Sequence, residues 1–276
     1  MKKFLITLAT LVSGLAIFLG LDPGHYAFKY IDVGGHQVRM YIAGHGGPAV
    51  VFEAGGSPAD GGPLEAWERV QPAVSRFTTT VAYDRAGIGL SAPGPKPRDA
   101  RQVARELHAA LQNARVAPPY ILVGHSFGGP LIRVFAGIYP KEVGGMVLID
   151  PTQEEFIYWN QARETNRVER QDEEWKDMKA SLDEAHESQV PKGIPIVLIT
   201  AMGPAVIPSF VTEQQKEDMK FYRSFWLKFH NEWLEKVPDG QHIITENSGH
   251  MVPFYEPELI VRVSRQMIEK KSANPQ

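Results

Sequence analysis

Short apolar runs bounded by turn residues recur along the chain and read as β-strands: 37–44 (QVRMYIAG), 49–55 (AVVFEAG), 78–84 (TTTVAYD), 120–124 (YILVG), 145–150 (GMVLID), 195–200 (PIVLIT) and 242–246 (HIITE). The later runs are almost wholly apolar rather than alternating, the pattern of parallel strands covered on both faces. Helical patterns lie between them. Asp99 is placed to cap a helix that lines up Val103, Leu107 and Leu111. A second helix follows Gly128 and turns Leu131, Val134, Phe135 and Ile138 toward the sheet, and a third, PELIVRVSRQMIEKK, closes the chain. This alternation predicts an α/β fold with a doubly wound, mostly parallel sheet over residues 23–276.

Two insertions interrupt the alternation. The first, 151–191, is highly charged but keeps Val168, Trp175, Met178, Leu182 and Ala185 at helical spacing. The second, 205–238, opens its helix with a capping-box pattern, Thr212-x-x-Gln215, and carries Met219, Tyr222, Trp226, Phe229 and Trp233. Both stripes read as helix faces packed on the core. A helical cap, with the first insertion acting as a lid, is the functional alternative.

The N-terminus has a different pattern. Phe4–Leu21 is a run of eighteen residues without a charge, about 27 Å long as a helix and so near the hydrocarbon thickness of a bilayer. The best small-x-small site, Gly14-Leu15-Ala16, lies inside the run rather than beyond it. Residues 1–22 therefore read as an uncleaved membrane anchor, with Lys2 and Lys3 cytoplasmic and the globular part on the exported side. Secretion after signal cleavage is the alternative.

Composition narrows the chemistry. Across 276 residues the net charge is −3, with no basic field for nucleic acid. There is no cysteine, hence no thiol nucleophile, and the nine histidines show no metal-ligand spacing. Neither a metal nor a cofactor is expected. Gly87-Ile88-Gly89-Leu90-Ser91-Ala92 fits a dinucleotide fingerprint, but Pro93, Pro95 and Pro97 follow where a helix is required.

YILVGHSFGGP contains Gly124-x-Ser126-x-Gly128 between an apolar strand and an amphipathic helix. A serine hydroxyl becomes a nucleophile only when aimed and relieved of its proton. A sharp strand-to-helix turn aims it, glycines on either side permit the close backbone approach, and the Phe127 amide points at the reacting carbonyl.

With VVFEAGGSP, YDRAGIGLS and NSGHMVPFYEPE, this elbow makes most of residues 35–268 resemble the α/β-hydrolase family. The resemblance implies a serine hydrolase of the esterase or lipase kind. Ser126 matches the nucleophile and His250 the base, in a loop after the last strand. Gly56 matches the second oxyanion donor beside Phe127, with Ser57 close behind. His125 reads as a packed neighbour of the elbow, and His242 as the start of a strand. Epoxide hydrolases and dehalogenases of this fold use an aspartate where this chain has Ser126.

The acid is not in its usual place. Residues 194–212 follow the penultimate strand without a single carboxylate. One strand earlier MVLID ends in Asp150, which preserves the order Ser126, Asp150, His250 and matches family members with the acid there. A turn-capping aspartate is the bland reading; Glu154 and Glu155 are the substitutes. The expectation is hydrolysis of a small-molecule ester or related acyl bond through an acyl-enzyme. A non-catalytic binding protein and a lyase or peroxidase-like reaction of the same triad are the alternatives, and no oligomeric state is implied.

Overall fold

The computed structural model describes residues 27–56, 65–155, 173–204, 212–238 and 240–273. Eight strands form one sheet: β1 (Ala27–Asp32), β2 (Gln37–Ala43), β3 (Ala49–Glu53), β4 (Thr80–Tyr83), β5 (Tyr120–His125), β6 (Val143–Ile149), β7 (Ile196–Ala201) and β8 (Gln241–Thr245). Their order is β1-β2-β4-β3-β5-β6-β7-β8. All pairings from β4 to β8 are parallel, and β1 and β2 are antiparallel at one edge.

Each central strand feeds two cores, because successive side chains point to opposite faces. Val51, Leu122, Leu148 and Leu198 face one cluster, while Val50, Val123, Ile149 and Ile199 face the other. Helices α2 (Ala100–Asn113), α3 (Gly128–Ile138), α4 (Glu173–Glu187) and α5 (Glu213–Leu234) supply the first face, through residues such as Leu107, Phe135, Ala185 and Trp233. The second is covered by α1 (Gln71–Val74) and α7 (Pro257–Ala273), with Val74, Ile260 and Met267; the short α6 (Val252–Tyr255) precedes α7. The predicted Asp99 cap is present: its carboxylate accepts from the Gln102 amide at 2.8 Å.

Two departures from the sequence reading stand out. The strand β1 was not among the predicted runs. It is an edge strand whose Phe28 and Tyr30 point outward at 59% and 51% exposure, so it offers no buried apolar run. Ile138 is exposed because it is the last residue of α3, beyond the buried stretch 128–136. The helix of the first insertion, α4, is part of the helical layer. Its Ala185 carbonyl accepts from Arg133 on α3, its Glu184 accepts from the Arg101 amide on α2, and Leu182 is buried. The rest of the insertion, 156–172 with Val168, lies outside the described residues.

The predicted anchor, 1–22, also lies outside them. Among the described residues no helix is long and apolar enough to cross a membrane. After Gly87–Ala92 the chain runs through loop until α2, with Gly87 N–H closing a turn onto the Ala92 carbonyl. The helix N-terminus that a pyrophosphate needs is therefore missing there.

Candidate active site

Ser126, Asp150 and His250 lie on the loops that leave the parallel strands β5, β6 and β8; β5 and β6 are neighbours, and β7 stands between β6 and β8. Ser126 follows β5 with φ +53, a left-handed conformation uncommon outside glycine. Its amide donates to the Ile149 carbonyl at the end of β6, and its own carbonyl accepts from Gly129 and Thr152. The glycines of the elbow are there for space. A Cβ on Gly124 would stand 2.6 Å from the Gly128 carbonyl oxygen, and one on Gly128 would stand 2.4 Å from that of Glu53. The helix that starts at the elbow thus sits directly on the end of β3.

Asp150 directly follows β6, also with positive φ (+41). Its amide donates to the Ile199 carbonyl at 2.7 Å, and Oδ1 accepts from the Ala201 amide at 3.0 Å. The other oxygen, Oδ2, lies 2.6 Å from His250 Nδ1, and His250 Nε2 lies 2.9 Å from Ser126 Oγ. A carboxylate can only accept, so Nδ1 carries the proton and Nε2 is left to accept from the serine hydroxyl. Burial pushes the Asp150 carboxyl up. The hydrogen bond and charge of His250, the nearby His230 and the Ala201 amide outweigh it, so the group lies below its ordinary value and stays ionised. Glu154 is not available as a substitute, since it is buried in an ion pair with Arg133 at 2.6 Å. His250 is open to solvent on one side and meets the edge of Trp226 from α5 on the other.

His125 does more than pack. Its Nε2–H donates to the His250 carbonyl at 2.7 Å, fixing the backbone of the base from below. Burial, then the neighbouring His250, push it down to about 3, so it is neutral in ordinary conditions.

The loop after β3 lies over the elbow. A methyl group on Gly55 would stand 3.2 Å from Ser126 Cβ, and one on Gly56 would stand 3.3 Å from Phe127 Cβ. From behind, the buried Arg85 holds this loop. It donates to the Ala54 carbonyl at 2.8 Å, to the Gly55 carbonyl at 2.5 Å and to Glu53 Oε1 at 2.5 Å; Tyr83 donates to the other Glu53 oxygen. Carbonyl and amide point in opposite directions across a trans peptide. With the Gly55 carbonyl turned to Arg85, the Gly56 N–H faces away from the guanidinium. The second expected donor is the Phe127 amide, at the entrance of α3 where N–H groups lack partners within the helix. Ser57 lies outside the described residues.

Ser126, Asp150 and His250 are thus brought into one hydrogen-bonded line, and Gly56 and Phe127 meet beside its serine end. Sequence reasoning passed over Arg85, although it stands inside the YDRAGIGLS segment, and it gave His125 no bonding role. Among the described residues no group of acidic and histidine side chains could hold a metal ion. The described geometry can move a proton from a serine hydroxyl to a histidine backed by a carboxylate, next to two backbone amides.

A family described as the alpha/beta hydrolase fold matches residues 45–266. Among curated proteins, YqjL of Bacillus subtilis (strain 168) is 28% identical over 222 residues, covering 79% of this chain and 82% of YqjL. The pyrrolizixenacetamide deacetylase of Xenorhabdus hominickii is 27% identical over 249 residues, 85% of this chain and 86% of that protein. Of solved structures, Cfl2 from Burkholderia cenocepacia superposes with a TM-score of 0.62 at 18% identity over 90% of this chain and 98% of its own. The haloalkane dehalogenase DbeA from Bradyrhizobium elkani USDA94 gives 0.62 at 17% identity, covering 90% and 99%. At such identities the structural likeness concerns the fold.

Proposed function

The chain belongs to the α/β-hydrolase fold family, and on that premise we propose that it is a serine hydrolase cleaving an ester or related acyl bond of a small molecule through an acyl-enzyme. The observation that carries this reading is the unbroken line from Ser126 Oγ through His250 to Asp150, at 2.9 and 2.6 Å. His250 Nε2 takes the hydroxyl proton as Oγ attacks the acyl carbon, and the carbonyl electrons move onto oxygen. The Gly56 and Phe127 amides receive that negative charge. The leaving group departs with the proton from Nε2, and the acyl group stays on Oγ. Water then repeats the sequence, giving up its proton to Nε2 and releasing the acid and the free serine. Asp150 stabilises the imidazolium at each stage without itself taking a proton.

The name of the Xenorhabdus relative, a deacetylase, fits removal of an acyl group. A serine at the elbow sets this chain apart from the aspartate-nucleophile members of the fold. The test is labelling with a fluorophosphonate probe, which is expected at Ser126 and lost in Ser126→Ala together with turnover of p-nitrophenyl esters. Labelling that survives Ser126→Ala would overturn the assignment.

We propose further that residues 1–22 tether the enzyme to a membrane, with its globular part exported. Support comes from the uncharged run Phe4–Leu21 behind Lys2 and Lys3. Full-length protein is expected in the membrane fraction after a high-salt wash, and a chain starting at residue 23 in the soluble one. A mature form starting after Ala16 or Gly20 would show a cleaved signal instead.

A further inference from the structure

One fully buried histidine has no part in the mechanism above. His230 sits on α5, in the second insertion, with no exposed surface. Its Nε2 is 2.9 Å from the Pro151 carbonyl oxygen, and its Nδ1 is 2.7 Å from Thr200 Oγ1. Thr200, itself fully buried on β7, is in turn 2.7 Å from His242 Nε2 on β8.

The direction of this chain is determined. A carbonyl oxygen only accepts, so His230 Nε2 carries a proton. Burial pushes the ring down to about 4, against the opposing pull of Asp150, so it is neutral and Nδ1 is a bare acceptor. Thr200 must therefore donate its hydroxyl proton to Nδ1, which leaves its oxygen to accept from His242 Nε2–H. The chain runs from β8 through β7 and α5 and ends on the Pro151 carbonyl. The ionisable groups facing His230 are Asp150, His242 and His250, and Trp226 packs edge-on against its ring at 5.7 Å.

Pro151 is the residue after the acid. The turn 150–152 is tied at every residue: Asp150 N–H to the Ile199 carbonyl, Pro151 C=O to His230, and Thr152 N–H to the Ser126 carbonyl. Two of these ties come from the sheet and the elbow. The third comes from the inserted helix, and it fixes the Pro151–Thr152 peptide, one residue beyond the left-handed Asp150 (φ +41). A non-glycine residue in that conformation persists only where its surroundings over-determine it.

We propose that His230, oriented by Thr200 and His242, is a positioning residue for the triad acid: it holds the acid turn so that the Asp150 carboxylate stays aimed at His250 Nδ1. This rests on the reading of Asp150 as the acid. It also makes α5 a tie between the insertion and the catalytic line, since Trp226 on the same helix touches His250.

The test uses the full chain with p-nitrophenyl butyrate as probe substrate and compares three variants. His230→Phe fills similar space without either hydrogen bond. It is expected to lower kcat by about 10- to 100-fold, the scale of a small displacement of catalytic geometry, with KM little changed. It should also shift the low-field proton signal of His250 Nδ1–H. His230→Gln places an amide N–H where Nε2 stood and is expected to restore most of the rate. Should His230→Phe fail to fold, Thr200→Val removes the hydroxyl that orients the ring and should show the same loss in kcat and the same signal shift, at smaller size. A folded His230→Phe or Thr200→Val protein with wild-type kcat and an unshifted Nδ1–H signal would overturn the proposal. Asp150→Asn, measured alongside, separates the two readings. If it is inactive while His230→Phe is fully active, only the positioning role fails; if Asp150→Asn is itself active, the assignment of the acid fails first.

Discussion

Asp150 Oδ2 stands 2.6 Å from His250 Nδ1, and its partner oxygen is occupied by the Ala201 amide at 3.0 Å. The carboxylate is thus locked from the β7 side and has one oxygen left for the imidazole. Asp150→Asn keeps the shape but can present an N–H to Nδ1 and so favour the wrong tautomer. We expect kcat to fall by about 10⁴-fold on the pattern of the worked serine triad. KM should change little, because the acid acts on charge that develops in the transition state. Steady-state kinetics on protein shown by circular dichroism to be folded checks this; activity within a few-fold of wild type would remove Asp150 from the mechanism.

Arg85 offers a second test, on the oxyanion side. Its fork reaches the Ala54 and Gly55 carbonyls and Glu53 together, which a single ammonium cannot reproduce. Arg85→Lys keeps a positive charge beside the buried Glu53 but frees the Gly55–Gly56 peptide to rotate. We expect kcat to drop by about 10²-fold, the scale of losing one oxyanion donor. Affinity for a boronic acid inhibitor, which places negative oxygen in the same spot, should weaken in parallel. An unchanged inhibitor constant would argue that Gly56 is not a donor.

Much of this was legible in the chain because strand and elbow signals are local. The apolar runs at 120–124 and 145–150 become the central strands β5 and β6, and the residues that follow them, Ser126 and Asp150, inherit adjacent positions from the parallel pairing. The strand β1 was not legible, since an edge strand with outward aromatics has no apolar run. Arg85 and His230 escaped for a different reason. Their partners, Gly55 and Pro151, are distant in sequence and meet them only because β3 lies beside β4 and α5 folds back over β6 and β7. No spacing rule marks such a contact. The absence of a carboxylate from 194–212 was informative by contrast, because it left the end of the preceding strand as the place to look.

Helix α2 provides a control remote from the chemistry. Asp99 caps it through the Gln102 amide, and a lost cap costs about 1 kcal/mol. Asp99→Ala should lower the urea midpoint accordingly, with the denaturant slope and kcat unchanged. A change in kcat would reveal coupling between this helix and the site.

Stability should fall on mild acidification, and the sign follows from the buried histidines. Burial, with His250 nearby, holds His125 down at about 3, and burial holds His230 at about 4, whereas in the unfolded chain both titrate near their ordinary value of about 6.5. Below that value the unfolded state binds protons that the folded state refuses, so stability rises with pH across this window and is lost as pH falls. Half-buried His242, also lowered by burial, adds in the same direction. Two such protons give a slope approaching about 2.7 kcal/mol per pH unit between roughly pH 6 and 4.5. Asp150, lowered as well, adds its loss only under more acid conditions, below the ordinary carboxyl value. Urea melts at intervals from pH 7.5 to 4.5 read this directly. Replacing His230 with Gln removes one of these protons, and the slope should fall by about 1.4 kcal/mol per pH unit. A slope that His230→Gln leaves untouched would mean that His230 is protonated alike in the folded and unfolded chain, and the buried, neutral ring on which the Thr200–His230–Pro151 chain depends would then be wrong.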